Sequence, residues 1–164
     1  VPEEIVVVNA RAKCLEIADQ QTGPALVIAA DTLVFADRHV LGKPADLREA
    51  RDMVKMLSGR SHEVITGLCV QDTAAGRRAE GFESTQVTFR TLSDAEIDRF
   101  VDAVNPVDRA GAYTVDGPGS LIIESYAGCY YNVLGLPIVR LDRILRNLGY
   151  SLFDLMDASR ARFL

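Results

Sequence analysis

One stretch decides the fold: Ala29-Ala30-Asp31-Thr32-Leu33-Val34-Phe35, continuing through Ala36-Asp37-Arg38-His39 to Val40-Leu41-Gly42-Lys43-Pro44. The apolar run at residues 25–30 predicts a buried strand, and Asp31 follows directly at its end. The chain stays extended to Phe35, turns through small and polar residues, and returns as the second strand of a hairpin. A turn centred near Asp37 predicts that Asp31 lies opposite Lys43 or Pro44, so that a carboxylate and an ammonium group are neighbours. The alternative is a surface hairpin with a solvated ion pair.

The composition restricts the class of protein. The 164 residues suffice for one domain with a sizeable core, and 48% hydrophobic with 25% charged residues is usual for a soluble globular chain. We expect no membrane partner, because no apolar run reaches the length of a membrane span. The net charge of -5 argues against a nucleic-acid-binding surface but leaves room for a small anionic ligand. The three widely spaced cysteines argue against a disulfide framework or a zinc site and favour a cytoplasmic location.

The start of the chain has the pattern of a first helical turn, with Pro2 at its beginning followed by two glutamates. We predict a helix over residues 2–20, whose apolar stripe is Ile5, Val8, Ala12, Leu15 and Ala18. Lys13 lies at the edge of that stripe, where it can extend to water or reach into a cleft beside the helix. Because the chain begins at Val1 rather than at Met, we expect a further N-terminal segment to precede it.

The remainder alternates between helical and strand patterns. Asp46 and Ser93 are predicted N-caps of two helices, the first ending near Leu57 and the second before Pro106. The predicted strands cover residues 62–70, 77–90 (one long or two short) and 121–124, and a last helix covers 137–148. The glycine-rich segment 108–119 indicates tight turns or backbone close to a ligand. The tail at 151–164 is apolar in part and predicts docking on the body or on a second subunit, so a homodimer is among the expected assemblies.

Six short motifs occur in an order that resembles a known family. They are Ala30-Asp31-Thr32, Leu41-Gly42-Lys43-Pro44, Leu57-Ser58-Gly59-Arg60-Ser61-His62, Thr66-Gly67, Ala110-Gly111-Ala112-Tyr113 and Asn132-Val133-Leu134-Gly135-Leu136-Pro137. Each motif is weak alone, but together, over about residues 1 to 148, they resemble the Maf family of septum-formation-associated nucleoside triphosphate pyrophosphatases.

The resemblance implies an α/β fold: a two-lobed mixed sheet flanked by helices with a central cleft, similar to the inosine-triphosphate pyrophosphatases. Residues 1–150 would form the pyrophosphatase domain and residues 151–164 a C-terminal tail. The implied reaction is hydrolysis of a nucleoside triphosphate to the monophosphate and pyrophosphate with a divalent cation, Mg²⁺ or Mn²⁺. The implied substrate is dTTP, UTP or a modified nucleotide, in a house-cleaning role with a link to cell-division arrest.

The resemblance also implies roles for five residues. Asp31 matches the catalytic acid, a proton acceptor, and Lys13 and Lys43 match the two lysines of the site. Asp31 could act as metal ligand, as general base, or as both. Thr32 matches a residue that shapes substrate choice and follows the branch acting on dTTP and UTP. Asp116 stands where many members carry glutamine, and an acid there resembles the branch acting on 7-methyl-GTP; the structural alternative is that Asp116 caps the turn before Pro118.

One departure from the family pattern leaves a second function open. The family has a strand and a Ser-x-Ser-Pro-Arg-Arg loop before the first helix of this chain, and these would supply phosphate-binding arginines. The alternative is therefore a catalytically impaired nucleotide-binding or regulatory module. Phosphatases of the haloacid-dehalogenase type are rejected, because Leu33 occupies the position of their second aspartate.

Overall fold

The computed structural model of the chain describes residues 1–157 as five strands and five helices, with short 3-10 turns between α3 and β5. The elements are α1 (Pro2–Ala18), β1 (Leu26–Ala36), β2 (His39–Leu41), α2 (Leu47–Leu57), β3 (Ser61–Asp72), β4 (Arg77–Phe89), α3 (Asp94–Val104), three 3-10 turns (Pro106–Asp108, Ala110–Ala112 and Gly117–Leu121), β5 (Ile123–Ala127), α4 (Tyr130–Val133) and α5 (Ile138–Asn147). Asp46 and Ser93 cap α2 and α3 as predicted, since each side chain accepts a hydrogen bond from the backbone N–H three residues on.

The strands form one sheet in the order β2-β1-β3-β4-β5. The predicted α/β class is confirmed, but the sheet described by residues 1–157 is antiparallel at every pairing rather than mixed. The reason is the path of the chain: Phe35 near the end of β1 pairs with Glu63 near the start of β3. Because α2 returns the chain to the end of the sheet where β1 stopped, β3 must run the other way. A parallel pair would need a crossover to the opposite end.

The long first strand β1 changes the expected position of Asp31. This strand continues to Ala36, so Asp31 lies near its middle rather than at its end. Ten residues of β1 pair with β3, but only Val34, Phe35 and Ala36 pair with β2. Within residues 1–157, the edge of β1 at residues 26–33 therefore has a strand neighbour on one side only.

Helix α1 packs on one face of the sheet, but not with the predicted stripe. Its buried residues are Val6, Ala10 and Cys14, whereas Ile5 and Val8 are 45% and 53% exposed. The reason is a close approach at Gly67 of β3, where an added Cβ would lie 2.3 Å from the backbone carbonyl of Val6. Because the helix backbone lies almost on the sheet, mostly small side chains fit beneath it.

The opposite face carries the larger core. Side chains alternate along β1, so Val34 packs there with α2, α3 and the 3-10 turns, while α5 covers Leu68 and Val70 of β3. Leu152 packs against the α5 cluster, but Phe153 and Met156 are exposed. Docking of the tail on a second subunit stays a prediction, and residues 158–164 lie outside the described residues. Across residues 1–157, no helix has both the length and the apolar character that crossing a membrane requires.

Candidate active site

Asp31 is held from the α1 face by two donors on one helix. Lys13 Nζ donates to Asp31 Oδ1 at 2.5 Å, and Asn9 Nδ2 donates to Asp31 Oδ2 at 2.9 Å. Asn9 and Lys13 are four residues apart, so they lie on the same side of α1. The side chain of Asp31 is 19% exposed and that of Lys13 is 56% exposed, so the pair is accessible from solvent. Sequence reasoning found Asp31 and Lys13 but missed Asn9, whose only signal is this spacing.

Lys43 is not the ion-pair partner of Asp31, contrary to the prediction from the hairpin. The register Val34 to Leu41 would place Pro44 opposite Asp31, but β2 ends at Leu41. The next carbonyl, that of Gly42, accepts a hydrogen bond from Gly111 N–H at 3.0 Å. The chain is thereby drawn off the edge of β1 toward the glycine-rich segment, and Lys43 lines a cavity instead.

This cavity, of about 440 Å³, lies on the face of β1 opposite to α1. It brings together three of the five predicted site residues, Thr32, Lys43 and Asp116. Its remaining lining residues are Val34, Val64, Asp108, Arg109, Ala110, Tyr113, Thr114, Val115, Val133, Leu134 and Gly135. The glycine-rich segment forms 3-10 turns, which confirms the first of its two expectations, and it also supplies a wall of the cavity. That its backbone lies close to a ligand stays a prediction.

The charged groups of the cavity have both signs. Lys43 and Arg109 supply cations, and Asp108 and Asp116 supply carboxylates. The hydrogen bond from Thr114 Oγ1 to Asp116 Oδ1, 2.7 Å long, lowers the pKa of Asp116 below its usual range. The Asp116 side chain does not cap the turn that follows, which removes the main structural alternative for it. Asp116 is therefore an ionised hydrogen-bond acceptor at neutral pH.

A buried polar network supports the cavity floor, and sequence reasoning missed it. Thr66, Thr85 and Asn132 are fully buried. Thr32 Oγ1 and Thr66 Oγ1 are 2.8 Å apart, and Thr66 Oγ1 donates to the Asn132 carbonyl at 3.1 Å. Asn132 Nδ2 donates to the Val64 carbonyl at 2.8 Å and to Thr85 Oγ1 at 3.0 Å. The network fixes the loop that follows Asn132, and with it one wall of the cavity.

An aromatic cluster supports the opposite wall. His62 Nε2 and Tyr113 Oη are 2.8 Å apart, and the rings of His62, Phe89 and Tyr113 meet edge to face. Burial lowers the pKa of His62 to about 4, so the imidazole is neutral at physiological pH. Burial also raises the pKa of Tyr113. His62 is thus part of the packed core, and Arg60 holds a loop, since its Nη1 donates to Asp37 Oδ2 at 2.8 Å.

The two sets of candidate residues lie on opposite faces of one strand. Asp31 points toward α1, whereas its neighbour Thr32 points into the cavity, because successive side chains alternate along a strand. Both lie on the portion of β1 whose outer edge has no strand neighbour within residues 1–157. A ligand that reaches both faces of β1 at this point would contact both side chains.

The chain is similar to several proteins that are named dTTP/UTP pyrophosphatase. The model of the family described as Maf-like protein matches residues 1–148. The dTTP/UTP pyrophosphatase of Caldicellulosiruptor bescii is 43% identical over 153 residues, which are 92% of this chain and 77% of that protein. The dTTP/UTP pyrophosphatase of Carboxydothermus hydrogenoformans is 43% identical over 149 residues, covering 91% and 80%. That of Dictyoglomus thermophilum is 39% identical over 151 residues, covering 92% and 78%. With its fold and its six motifs in agreement, this chain belongs to the Maf family.

Proposed function

We propose that the protein hydrolyses nucleoside triphosphates, dTTP and UTP first among them, to the monophosphate and pyrophosphate. The observation that carries the proposal is the juxtaposition on β1: Asp31, fixed by two donors, adjoins Thr32 at the floor of a cavity that also contains Lys43. The names of the relatives, dTTP/UTP pyrophosphatase, support the choice of substrate. A triphosphate lying beside Asp31 and Thr32 would expose its phosphoanhydride bond to Asp31 while its nucleoside occupies the cavity.

Asp31 is the group best placed to orient and deprotonate the attacking water. Hydrolysis of a phosphoanhydride needs a carboxylate at the water and cations along the phosphates. The position of Asp31 is rigid, because its backbone is paired with Gly67 and each carboxylate oxygen receives one hydrogen bond. Carboxylate oxygens have about two lone pairs each, so both can still accept a proton.

Lys13 and Lys43 supply the positive charge. Lys13 approaches from the α1 face and Lys43 from the cavity, so the two ammonium groups flank the edge of β1 from opposite sides. As point charges they would hold the phosphates without dictating one oxygen geometry. Neutralising the charge that shifts toward the leaving pyrophosphate lowers the barrier, because that charge is larger in the transition state than in the bound substrate.

The residues present fit a divalent cation that the substrate itself largely coordinates. Within residues 1–157 no three His, Cys, Asp or Glu side chains form a group that could hold a metal alone. Mg²⁺ is commonly bound by one or two carboxylates plus substrate phosphates and water, and Asp31 retains lone pairs for such a contact. When bound, Mg²⁺ or Mn²⁺ would neutralise phosphate charge and lower the pKa of bound water.

Two properties of the protein in the cell accompany the proposal. A cytoplasmic location is supported by its unpaired cysteines, Cys14, Cys69 and Cys129, which a reducing compartment keeps as thiols. A role in removing unwanted nucleotides, with an effect on cell division, would follow from pyrophosphatase activity on free nucleotides. A homodimer stays among the expected assemblies.

The test is pyrophosphate release by the full chain from dTTP, UTP, CTP, GTP and 7-methyl-GTP with Mg²⁺ or Mn²⁺. We expect the first two to be hydrolysed most efficiently. Asp31→Asn should abolish hydrolysis of all five while circular dichroism and the melting temperature stay close to wild type, because amide and carboxylate have nearly the same shape. Nucleotide binding without hydrolysis by the wild type would contradict the proposal and favour the impaired binding module.

A further inference from the structure

The buried network beneath the cavity fixes the direction in which the hydroxyl of Thr32 donates its proton. Thr66 Oγ1 lies 3.1 Å from the Asn132 carbonyl oxygen and 2.8 Å from Thr32 Oγ1. A carbonyl only accepts, and a threonine hydroxyl has a single proton to donate. If Thr66 gave its proton to Thr32, two lone pairs would face each other across the 3.1 Å contact with Asn132. Only donation from Thr66 to the carbonyl, and from Thr32 to Thr66, places a proton in both contacts.

Thr32 therefore presents lone pairs, and no proton, to the cavity. A Cβ added at Gly135, where φ is +97°, would lie 3.5 Å from Thr32 Oγ1, in van der Waals contact with it. Glycine at this position therefore leaves the hydroxyl uncovered on the side of the cavity that both residues line. The arrangement is fully buried on the protein side, because Thr66 and Asn132 are inaccessible to water that could reorganise the chain of hydrogen bonds.

We infer that Thr32 accepts a hydrogen bond from the imide N–H of a uracil or thymine base, and that Thr66 is the positioning residue that makes it an acceptor. The inference rests on the proposed function. Phosphate oxygens of a nucleoside triphosphate are themselves acceptors at neutral pH, so the triphosphate cannot bind at Thr32. The donors common to dTTP and UTP are the imide N–H and the 3′-hydroxyl group.

The surroundings of Thr32 favour the base over the sugar. Val34, Val64, Val133 and Leu134 line the same cavity, and their apolar side chains suit the faces of a planar ring. A sugar would place hydroxyl groups against these side chains without partners. The cations Lys43 and Arg109 remain for the phosphates.

Cytosine nucleotides should fit poorly against an acceptor at Thr32. Cytosine has an unprotonated ring nitrogen where uracil has its imide N–H. Against an acceptor-only Thr32, two lone pairs would face each other, so CTP should be a poor substrate although its size matches that of UTP. A freely rotating threonine hydroxyl would accept from uracil or donate to cytosine and would not discriminate.

The experiment compares kcat/KM for UTP and CTP in three variants of the full chain with its divalent cation. Thr66→Val has nearly the same volume but removes the acceptor that takes the Thr32 proton, so the UTP to CTP ratio should fall about tenfold. Thr66→Ser keeps the hydroxyl and should retain the wild-type ratio. Thr73→Val is the control: it loses a hydroxyl that bonds the backbone at Gly23 and Ala25, at the far end of β1 from Thr32, so its ratio should also remain.

A second test uses nucleotide analogues with the wild-type protein, so it does not depend on whether a variant folds. UTP methylated at the imide nitrogen lacks the donor and should lose about tenfold in kcat/KM relative to UTP, whereas 3′-deoxy-UTP should not. An unchanged UTP to CTP ratio in folded Thr66→Val, or a loss with 3′-deoxy-UTP in place of the methylated nucleotide, would overturn the inference alone. A wild type that hydrolyses none of these nucleotides would overturn the proposed function as well.

Discussion

The two faces of β1 are built from different side chains, and we propose a different task for each. On the α1 face, Asp31 is held by two side chains of one helix, Asn9 and Lys13, in an ion pair open to solvent. On the cavity face, Thr32 is held by a buried hydroxyl and a backbone carbonyl from elements far apart in sequence. A charged group that a helix side chain holds in place is suited to act on phosphates. A hydroxyl whose proton is fixed by buried hydrogen bonds is suited to distinguish one base from another. Consecutive residues of one strand can serve both tasks because their side chains point to opposite faces.

The largest expected effect comes from a substitution that prevents α1 from packing on the sheet. Gly67→Ala would place a Cβ 2.3 Å from the backbone of Val6, and backbone cannot yield as a flexible side chain can. Overpacking of this kind costs about 3 kcal/mol or more in the free energy of unfolding. It should also displace Asn9 and Lys13 from Asp31, so kcat should fall with stability.

Chemical denaturation and steady-state kinetics measure both effects. Gly23→Ala is the matched control, since an added Cβ there meets nothing within 4 Å, and it should leave both quantities close to wild type. A Gly67→Ala protein of normal stability would show that α1 does not lie as close to the sheet as described.

The second prediction concerns pH and the wall beside Tyr113. His62 in the folded protein has a pKa of about 4, below its usual 6.5, so between these values the unfolded chain binds a proton that the folded protein does not. The free energy of unfolding should therefore be unaffected above pH 6.5 and fall by about 3 kcal/mol between pH 6.5 and 4. The measurement is denaturant unfolding across that range.

Two variants test whether His62 is the cause. His62→Gln should remove most of this fall, because glutamine does not titrate, whereas substitution of the exposed His39 should not change it. If His62→Gln retains the full slope, other groups cause the acid instability and the buried neutral imidazole is excluded as its source.

The third prediction asks whether the charge of Lys43 in the cavity matters more for activity than a charge on the exposed surface. Lys43→Ala removes a charge that we place at the phosphates, and we expect kcat/KM to fall by about 10- to 100-fold through a higher KM and a lower kcat together. Arg48→Ala removes the same charge from an exposed position of α2 and should have little effect. Equal kinetic constants for the two variants would show that Lys43 is an ordinary surface residue after the hairpin and does not contact the phosphates.

The smallest expected effect is at Asp116. Its carboxylate only accepts hydrogen bonds, and guanine presents two adjacent donors, whereas uracil and thymine present one. Relative to wild type, Asp116→Gln should therefore lower the kcat/KM for GTP and 7-methyl-GTP against that for dTTP and UTP by about threefold to tenfold. Asp108→Asn removes the same charge from the same cavity and is the control. An unchanged ranking in Asp116→Gln would show that Asp116 does not read the base.

The sequence predicted the parts that depend on local pattern. The hairpin, the caps Asp46 and Ser93 and the α/β class follow from turn residues, capping chemistry and periodicity, and all are confirmed. It failed where tertiary contact decides: α1 is apolar on several sides, so periodicity could not show that Val6, Ala10 and Cys14 face the sheet. That choice depends on Gly67, which lies 61 residues after Val6 in the chain.

The same limit applies to the site. Alternation along an extended strand could have separated Asp31 from Thr32, but the pairing of Asp31 with Lys43 required knowing where β2 ends. The hydrogen bond from Gly111 to the Gly42 carbonyl decides that, and it joins segments with no common pattern. Thr66 and Asn132 belong to two of the six motifs and Asn9 to none, but nothing in the motifs indicates what these side chains do. Only their contacts reveal it.

We propose that Asp31 on one face of β1 serves catalysis and that Thr32 on the other face serves base preference. The most direct test is to measure Asp31→Asn and Thr32→Val side by side. For each variant, single-turnover hydrolysis of UTP and CTP and equilibrium binding of their non-hydrolysable α,β-imido analogues would be determined with the same divalent cation. We predict that Asp31→Asn loses turnover on both nucleotides but still binds the UTP analogue in preference to that of CTP. Thr32→Val should keep turnover and lose the preference. The account is contradicted if Asp31→Asn abolishes the preference, or if Thr32→Val stops turnover of both nucleotides equally.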